Sequence, residues 1–121
     1  METIVQVASQ DPDVTILSIE GDADDHSRDL HRLEPLLNSV LASKTKYLAV
    51  NLSGLVSVGC EALAKLMWAA MLLRADGGDM ALTEANAEVG ATLKKLGVDR
   101  MIDHYPTQDE AVAAVRGRSQ G

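Results

Sequence analysis

The chain has 121 residues, 46% of them hydrophobic and 24% charged, with a formal net charge of −7. That length fits one domain with a core of useful size, and with no Phe, one Trp and two Tyr the core must be aliphatic. The composition excludes a disordered chain, and eleven scattered basic residues against 18 acidic ones exclude a phosphate-binding groove for nucleic acid.

Thr3 to Ala8 predicts a short strand around Ile4, Val5 and Val7. Gln10-Asp11-Pro12-Asp13 predicts a turn, because Pro fixes φ and the Asp side chains bond the local backbone. Val14 to Glu20 (VTILSIE) predicts a second strand, and the short turn makes an antiparallel hairpin the natural pairing. Gly21 to Ser27 (GDADDHS) reads as a loop. Leu30, Leu33, Leu36, Leu37, Val40 and Leu41 then recur at helical spacing. Pro35 either kinks that helix or falls in its first turn, where its missing N–H does no harm.

Tyr47 to Leu52 (YLAVNL) is the apolar run of a central strand buried on both faces. Ser53 to Gly59 reads as a loop, and Cys60 to Asp76 as the strongest helix, stopped by Gly77-Gly78. Asp79 to Glu84 predicts a strand. Asn86 caps a helix carrying Val89, Leu93 and Leu96, which Gly97 ends. Met101 to Tyr105 reads as a short strand or a turn. Thr107 and Glu110 form a capping box that opens a last helix, and Arg116 to Gly121 reads as a frayed tail. Strands alternating with helices imply parallel crossovers after the hairpin. The expected architecture is α/β: a small mixed β-sheet with about four helices packed mainly on one face. Residues 1–116 are expected to form a single domain and residues 117–121 a flexible tail.

No stretch reaches the roughly 20 apolar residues of a membrane span, since Lys65 interrupts the longest apolar region, Ala62 to Leu73. Direct membrane insertion is not expected. Met1-Glu2-Thr3-Ile4 carries no signal-peptide pattern, and a single cysteine forms no internal disulfide, so a cytoplasmic location is expected. His26 and His31, near Asp22, Asp24, Asp25 and Asp29, read as a metal cluster or as a solvated acidic loop at a helix N-terminus; no recognised ligand spacing is present. His104 reads as a loop residue rather than a general base. Gly54 and Gly59 flank a loop without the lysine and hydroxyl of a phosphate loop. No catalytic residue, metal or cofactor is expected.

Asn51-Leu52-Ser53-Gly54, followed by Gly59-Cys60-Glu61-Ala62-Leu63 at a helix start, resembles the segment that marks the STAS family, the anti-sigma factor antagonists and their relatives. There the pattern is Asp-Leu-Ser-Gly and then Asp-Ser-Ser-Gly-Leu. Val14 to Gly21 followed by Asp24 resembles the family's second strand and turn. Leu93 and Leu96-Gly97-Val98-Asp99-Arg100-Met101 resemble its later Leu-x-x-x-Gly segment, and the Thr107 helix with Glu110 and Ala111 also fits. The likeness covers nearly the whole chain.

The resemblance implies a STAS-like fold and a non-catalytic protein–protein signalling module. In the family a kinase, itself the anti-sigma factor, phosphorylates the first Ser of Asp-Ser-Ser-Gly, and the added charge breaks the complex. Here Gly59 replaces the Asp, Cys60 that Ser, and Glu61 and Ala62 the next Ser and Gly. A thiol is not a substrate for a Ser/Thr kinase. No regulatory phosphate is expected between Ser53 and Glu61, where Ser57 is the hydroxyl nearest the lost site. Cys60 reads as a small, partly buried residue filling the Ser position, or as a redox-sensitive thiol at a helix N-terminus. Glu61 is a good first-turn residue and a permanent negative charge beside the switch position.

Leu63, Leu66, Met67 and Ala70 are expected to face the sheet, leaving Glu61, Lys65, Trp68, Leu72 and Asp76 on the far side. Either a neighbouring loop or helix covers Trp68, or Trp68 and Leu72, edged by Ser57, Glu61 and Lys65, bind a partner. The expected partners are an anti-sigma factor or kinase-like protein, another STAS-domain protein, or a second copy as a homodimer. The alternatives are a subunit of a signalling scaffold, an accessory subunit of a transport ATPase, and a redox sensor or small enzyme built on Cys60.

Overall fold

The computed structural model describes residues 4–10, 14–23, 33–42 and 46–118. Strands β1 (Ile4–Gln10) and β2 (Val14–Ala23) form the expected antiparallel hairpin, Ile4 opposite Glu20 and Gln10 opposite Thr15. Helix α1 (Leu33–Ala42) leads to β3 (Tyr47–Asn51) and β4 (Leu55–Val58). Helix α2 (Cys60–Ala75), β5 (Asp79–Thr83), α3 (Ala87–Lys95), β6 (Asp103–Tyr105) and α4 (Gln108–Arg118) complete the chain. The sheet order is β1-β2-β3-β5-β6, parallel after the hairpin.

Alternation along the strands builds two cores. Leu17, Ile19, Leu48, Val50, Met80 and Leu82 meet Leu33 and Leu37 of α1, Leu63, Leu66 and Leu73 of α2, and Val89 and Leu93 of α3. On the other face Val14, Ile16, Tyr47, Ala49 and Ala81 meet Ala111 and Val115 of α4. Of the described α-helices, three lie on one side and one on the other. The small side chains of Ala49 and Ala81 let α4, itself apolar at a four-residue step, approach the sheet closely.

Several local expectations resolve. Pro35 occupies the first turn of α1, where its missing N–H does no harm. Val89 N–H donates to Asn86 Oδ1 at 2.8 Å, and Asn86 Nδ2 donates to the Leu55 carbonyl at 3.0 Å, so the cap of α3 also fastens it to β4. Glu110 N–H donates to Thr107 Oγ1 at 3.2 Å at the start of α4. Gly77, at φ 84°, ends α2 in a Schellman motif: Gly78 N–H bonds the Leu73 carbonyl at 2.7 Å and Gly77 N–H the Arg74 carbonyl at 3.1 Å. Arg74 Nε then reaches Asp79 Oδ1 at 2.9 Å, joining the end of α2 to the start of β5.

Four expectations are corrected. The segment Ser53 to Gly59 is not all loop: β4 pairs parallel with the far end of β2, Gly21 opposite Leu55 and Ala23 opposite Val58. Gly21 to Ala23 therefore extend β2 instead of opening a loop. His104 lies in β6, which follows a 3-10 turn at Val98–Arg100. Helix α4 continues past Arg116 to Arg118. The Pro12 turn, His26, His31, Asp24, Asp25, Asp29 and residues 119–121 lie outside the described residues.

Two glycines separate close approach from open space. A Cβ on Gly78 would fall on the Lys46 carbonyl, whereas one on Gly90, inside α3, meets nothing within 4 Å. Gly78→Ala should destabilise the fold by about 1–3 kcal/mol, the usual cost of overpacking. Gly90→Ala should stabilise it by about 0.5–1 kcal/mol. Urea denaturation of both variants checks the opposite signs.

Candidate functional site

The loops at the C-terminal ends of the parallel strands hold the residues of interest. After Asn51, Leu52 N–H bonds the Thr83 carbonyl at 2.9 Å, and Gly21 N–H bonds the Gly54 carbonyl at 2.9 Å. A Cβ on Gly54 would stand 2.6 Å from Glu20 Cγ, so a side chain in the turn into β4 would have to displace that of Glu20. Ser57 sits half-buried in β4, opposite Asp22 in register. Gly59 is the N-cap of α2, extended at φ −111°, and supplies no side-chain cap. Cys60, the first residue of α2, is exposed, which corrects the reading of a partly buried filler.

The buried face of α2 consists of Ala62, Leu63, Leu66, Ala69, Ala70 and Leu73. Met67, expected within that stripe, is only partly buried at its edge. The stripe is centred nearer Leu66 and Leu73 than the sequence reading placed it. Trp68 and Leu72 lie opposite, 42% and 40% exposed. Glu61, Lys65 and Trp68, with Ala64, bound an open notch of about 280 Å³. The structure thus lines up Cys60, Glu61, Lys65, Trp68 and Leu72 along one helix, with Ser57 one element earlier. Met71 is 57% exposed on the same side and was missed, although it lies one turn from Trp68. Val56, on β4, is also exposed.

A polar cluster that sequence reasoning missed entirely anchors this end of the sheet. Asn51 Nδ2 donates to Glu84 Oε2 at 3.1 Å and to Gln108 Oε1 at 2.9 Å. Asn51 Oδ1 accepts from Ser53 N–H at 2.9 Å, and Glu84 Oε2 accepts from Gln108 N–H at 3.1 Å. Glu84 takes a left-handed conformation, φ 59°, to present its carboxylate at the start of α4. One amide thus ties β3, the β5–α3 corner, the α4 N-terminus and the β3–β4 turn together.

An open concavity of about 870 Å³ lies between α3 and β6 and is lined by Gly90, Ala91, Lys94, Asp99, His104 and Tyr105 among others. His104 Nε2 accepts from Ala85 N–H at 3.2 Å. Burial holds the imidazole below its ordinary pKa of 6.5, and burial first, with Asp103 second, raises that of Tyr105. Cys60 does not line this groove. Among the described residues no group of three His, Cys, Asp or Glu side chains is placed to hold a metal ion. No helix among them is long and apolar enough to cross a membrane.

A mixed sheet with this order, a short β4 laid along β2 and a long helix opening at the Gly59–Cys60 position defines a STAS domain. The chain belongs to the STAS domain family, which matches residues 6–111. Among solved structures it is similar to an anti-sigma factor antagonist from Mycobacterium paratuberculosis, with 24% identity over 94% of this chain and 92% of that one and a TM-score of 0.79. It is similar to the unphosphorylated anti-sigma factor antagonist SpoIIAA, with 16% identity over 94% of this chain and 97% of that one and a TM-score of 0.75. The murine anion transporter Slc26a9 contains the fold as well: 16% identity over 96% of this chain but 22% of that one, at a TM-score of 0.67. Among curated proteins none matches the chain.

A substitution and a titration test these contacts. Asn51→Asp would set a second carboxylate against that of Glu84 and remove the donor to Gln108 Oε1. The variant should lose about 1.5–3 kcal/mol of stability, the scale of a hydrogen bond to a charged group. Denaturant melts check it. For His104, with its folded pKa depressed, the contribution to stability is full above about pH 6.5 and is lost as pH falls. The difference in thermal stability between wild type and His104→Gln should therefore shrink on acidification from pH 7.5 to 5. Lys94, Asp99, Asp103 and Tyr105 around the groove are unchanged in that comparison.

Proposed function

We propose that the protein is a non-catalytic protein–protein signalling module of the anti-sigma factor antagonist kind, in which Cys60 holds the position of the phosphorylated serine. Its partner is an anti-sigma factor or kinase-like protein that docks on the exposed side of α2 around Trp68 and Leu72, with Glu61, Lys65 and Ser57 at the edge. The observation that carries this reading is the exposure of the chain's single Trp on the helix that opens at the switch position. A large aromatic left in water beside Leu72 and Met71 is what a contact surface needs and what a monomer does not.

SpoIIAA, a structural neighbour, exists in phosphorylated and unphosphorylated forms. In this chain Gly59 has no carboxylate and Cys60 has no hydroxyl to take a phosphate. The docking face is thus present without the covalent switch, and the complex forms constitutively. Glu61 places a fixed negative charge in the first turn of α2, where it also favours the helix dipole.

A paired measurement tests the assignment. Trp68→Ala should weaken partner affinity by about 2 kcal/mol or more, roughly thirtyfold. It should change fold stability by only about 0.5 kcal/mol, as at an exposed site. Cys60→Ser should leave affinity within about 1 kcal/mol. Calorimetric titration against the partner and thermal melting of the free domain read the two quantities. A large loss of melting temperature with unchanged affinity would make Trp68 a structural residue and overturn the reading.

A further inference from the structure

The groove between α3 and β6 takes no part in the α2 face, and its walls hold charge that the fold leaves unused. Strands β5 and β6 are parallel, so α3, which connects them, runs antiparallel to both. The groove therefore has two unlike ends. Lys94 and Asp99 line it where α3 finishes, with Asp103 at the start of β6. Ala87, Gly90 and Ala91 line it earlier along α3, towards Tyr105 at the end of β6.

Gly90 has no structural duty. It lies inside α3 without a positive φ, and a Cβ there meets nothing within 4 Å. Neither a turn nor close packing calls for a glycine, and a glycine inside a helix lowers stability relative to Ala. The missing side chain leaves the floor of the groove open and lets a flat group lie against the helix backbone. Tyr105 supplies an aromatic ring on the wall.

The charges narrow the chemistry further. Among the described residues neither Lys94 nor Asp99 has an ion-pair partner, although both line the groove. Asp103 already has an interaction within the chain. His104 adds no charge at neutral pH, since its Nε2 accepts from Ala85 N–H and burial holds its pKa below 6.5. A purely anionic ligand would meet two carboxylates, and a purely cationic one would meet Lys94 with like charge. A zwitterion sets each of its charges against an opposite one. We propose that this groove binds a free α-amino acid with an aromatic side chain, its ammonium at Asp99, its carboxylate at Lys94 and its ring over Gly90. The space of about 870 Å³ is that of a small-molecule site. It is open and larger than one amino acid, so water fills the remainder and the affinity is modest.

NMR shift titration of the full chain with L-tryptophan tests the site. The dissociation constant should be on the order of 1 mM, as a ligand of this size allows, with shifts confined to amides of α3, the 3-10 turn and β6. Tryptamine, which lacks the carboxylate, and indole-3-propionate, which lacks the ammonium, should each bind about fivefold more weakly. Lys94→Met should erase the difference between tryptophan and tryptamine, and Asp99→Asn that between tryptophan and indole-3-propionate. Gly90→Leu should abolish binding of all three while thermal melting shows the fold intact. The absence of shifts with tryptophan up to about 20 mM, twentyfold above that constant, overturns the proposal. So do shifts centred outside the groove, equal affinity for the three ligands, or a folded Gly90→Leu that binds as the wild type does.

Discussion

Strand β3 has no solvent side, and the remaining elements are arranged around that constraint. Leu48 and Val50 point to one core, Tyr47 and Ala49 to the other, and all four are buried. A strand buried on both faces needs a layer on each, so the helices cannot all lie on one side. Among the described residues, the side with the large Leu48 and Val50 packs α1, α2 and α3. The other side, with the small Ala49 and Ala81, packs α4, which meets it with Ala111 and Val115. Burial of a Leu or Val at such positions is worth about 1.5–3 kcal/mol each.

The same strand must become polar where it leaves the core, and Asn51 is that transition. Its amide both donates and accepts, so it can satisfy a carboxylate, a side-chain carbonyl and a backbone N–H at once. An Asp could accept from Ser53 but would face Glu84 with like charge. The choice of amide here and carboxylate at Glu84 fits one site: the carboxylate is the better acceptor for the N–H groups at the start of α4. Structural order thus passes from α4 through Asn51 into the turn that leads to β4 and the N-terminus of α2.

The sequence made some of this legible and hid the rest for identifiable reasons. The order of strands and helices, the hairpin, the cap of α3 and the STAS family could be read from apolar runs, Gly stops and capping residues. Strand β4 could not. Leu55 to Val58 is a strand only because Gly21 to Ala23 pairs with it, and those residues are strand only because of β4. Each half alone looks like loop, the first because it opens an Asp-rich string. Met67 was placed in the buried stripe because helical spacing gives a face to within one neighbour, and the packing of α2 on the sheet decides which neighbour is covered. The Asn51 cluster left no local trace, since its partners stand 33 and 57 residues away. Trp68 and Leu72 were legible because they break a rule, large apolar side chains on the far side of an already filled helix.

Under the proposed function, the absence of a serine changes how the α2 face is controlled. A phosphate would add about −1.5 to −2 charges at the helix start and could be removed again. Glu61 adds a charge that cannot be removed. Control of such a complex then falls to the concentrations of the two proteins against their affinity. Met and Trp offer large, polarisable contact area with little directional demand, so a face built on Trp68, Met71 and Leu72 can hold a partner without a charged switch.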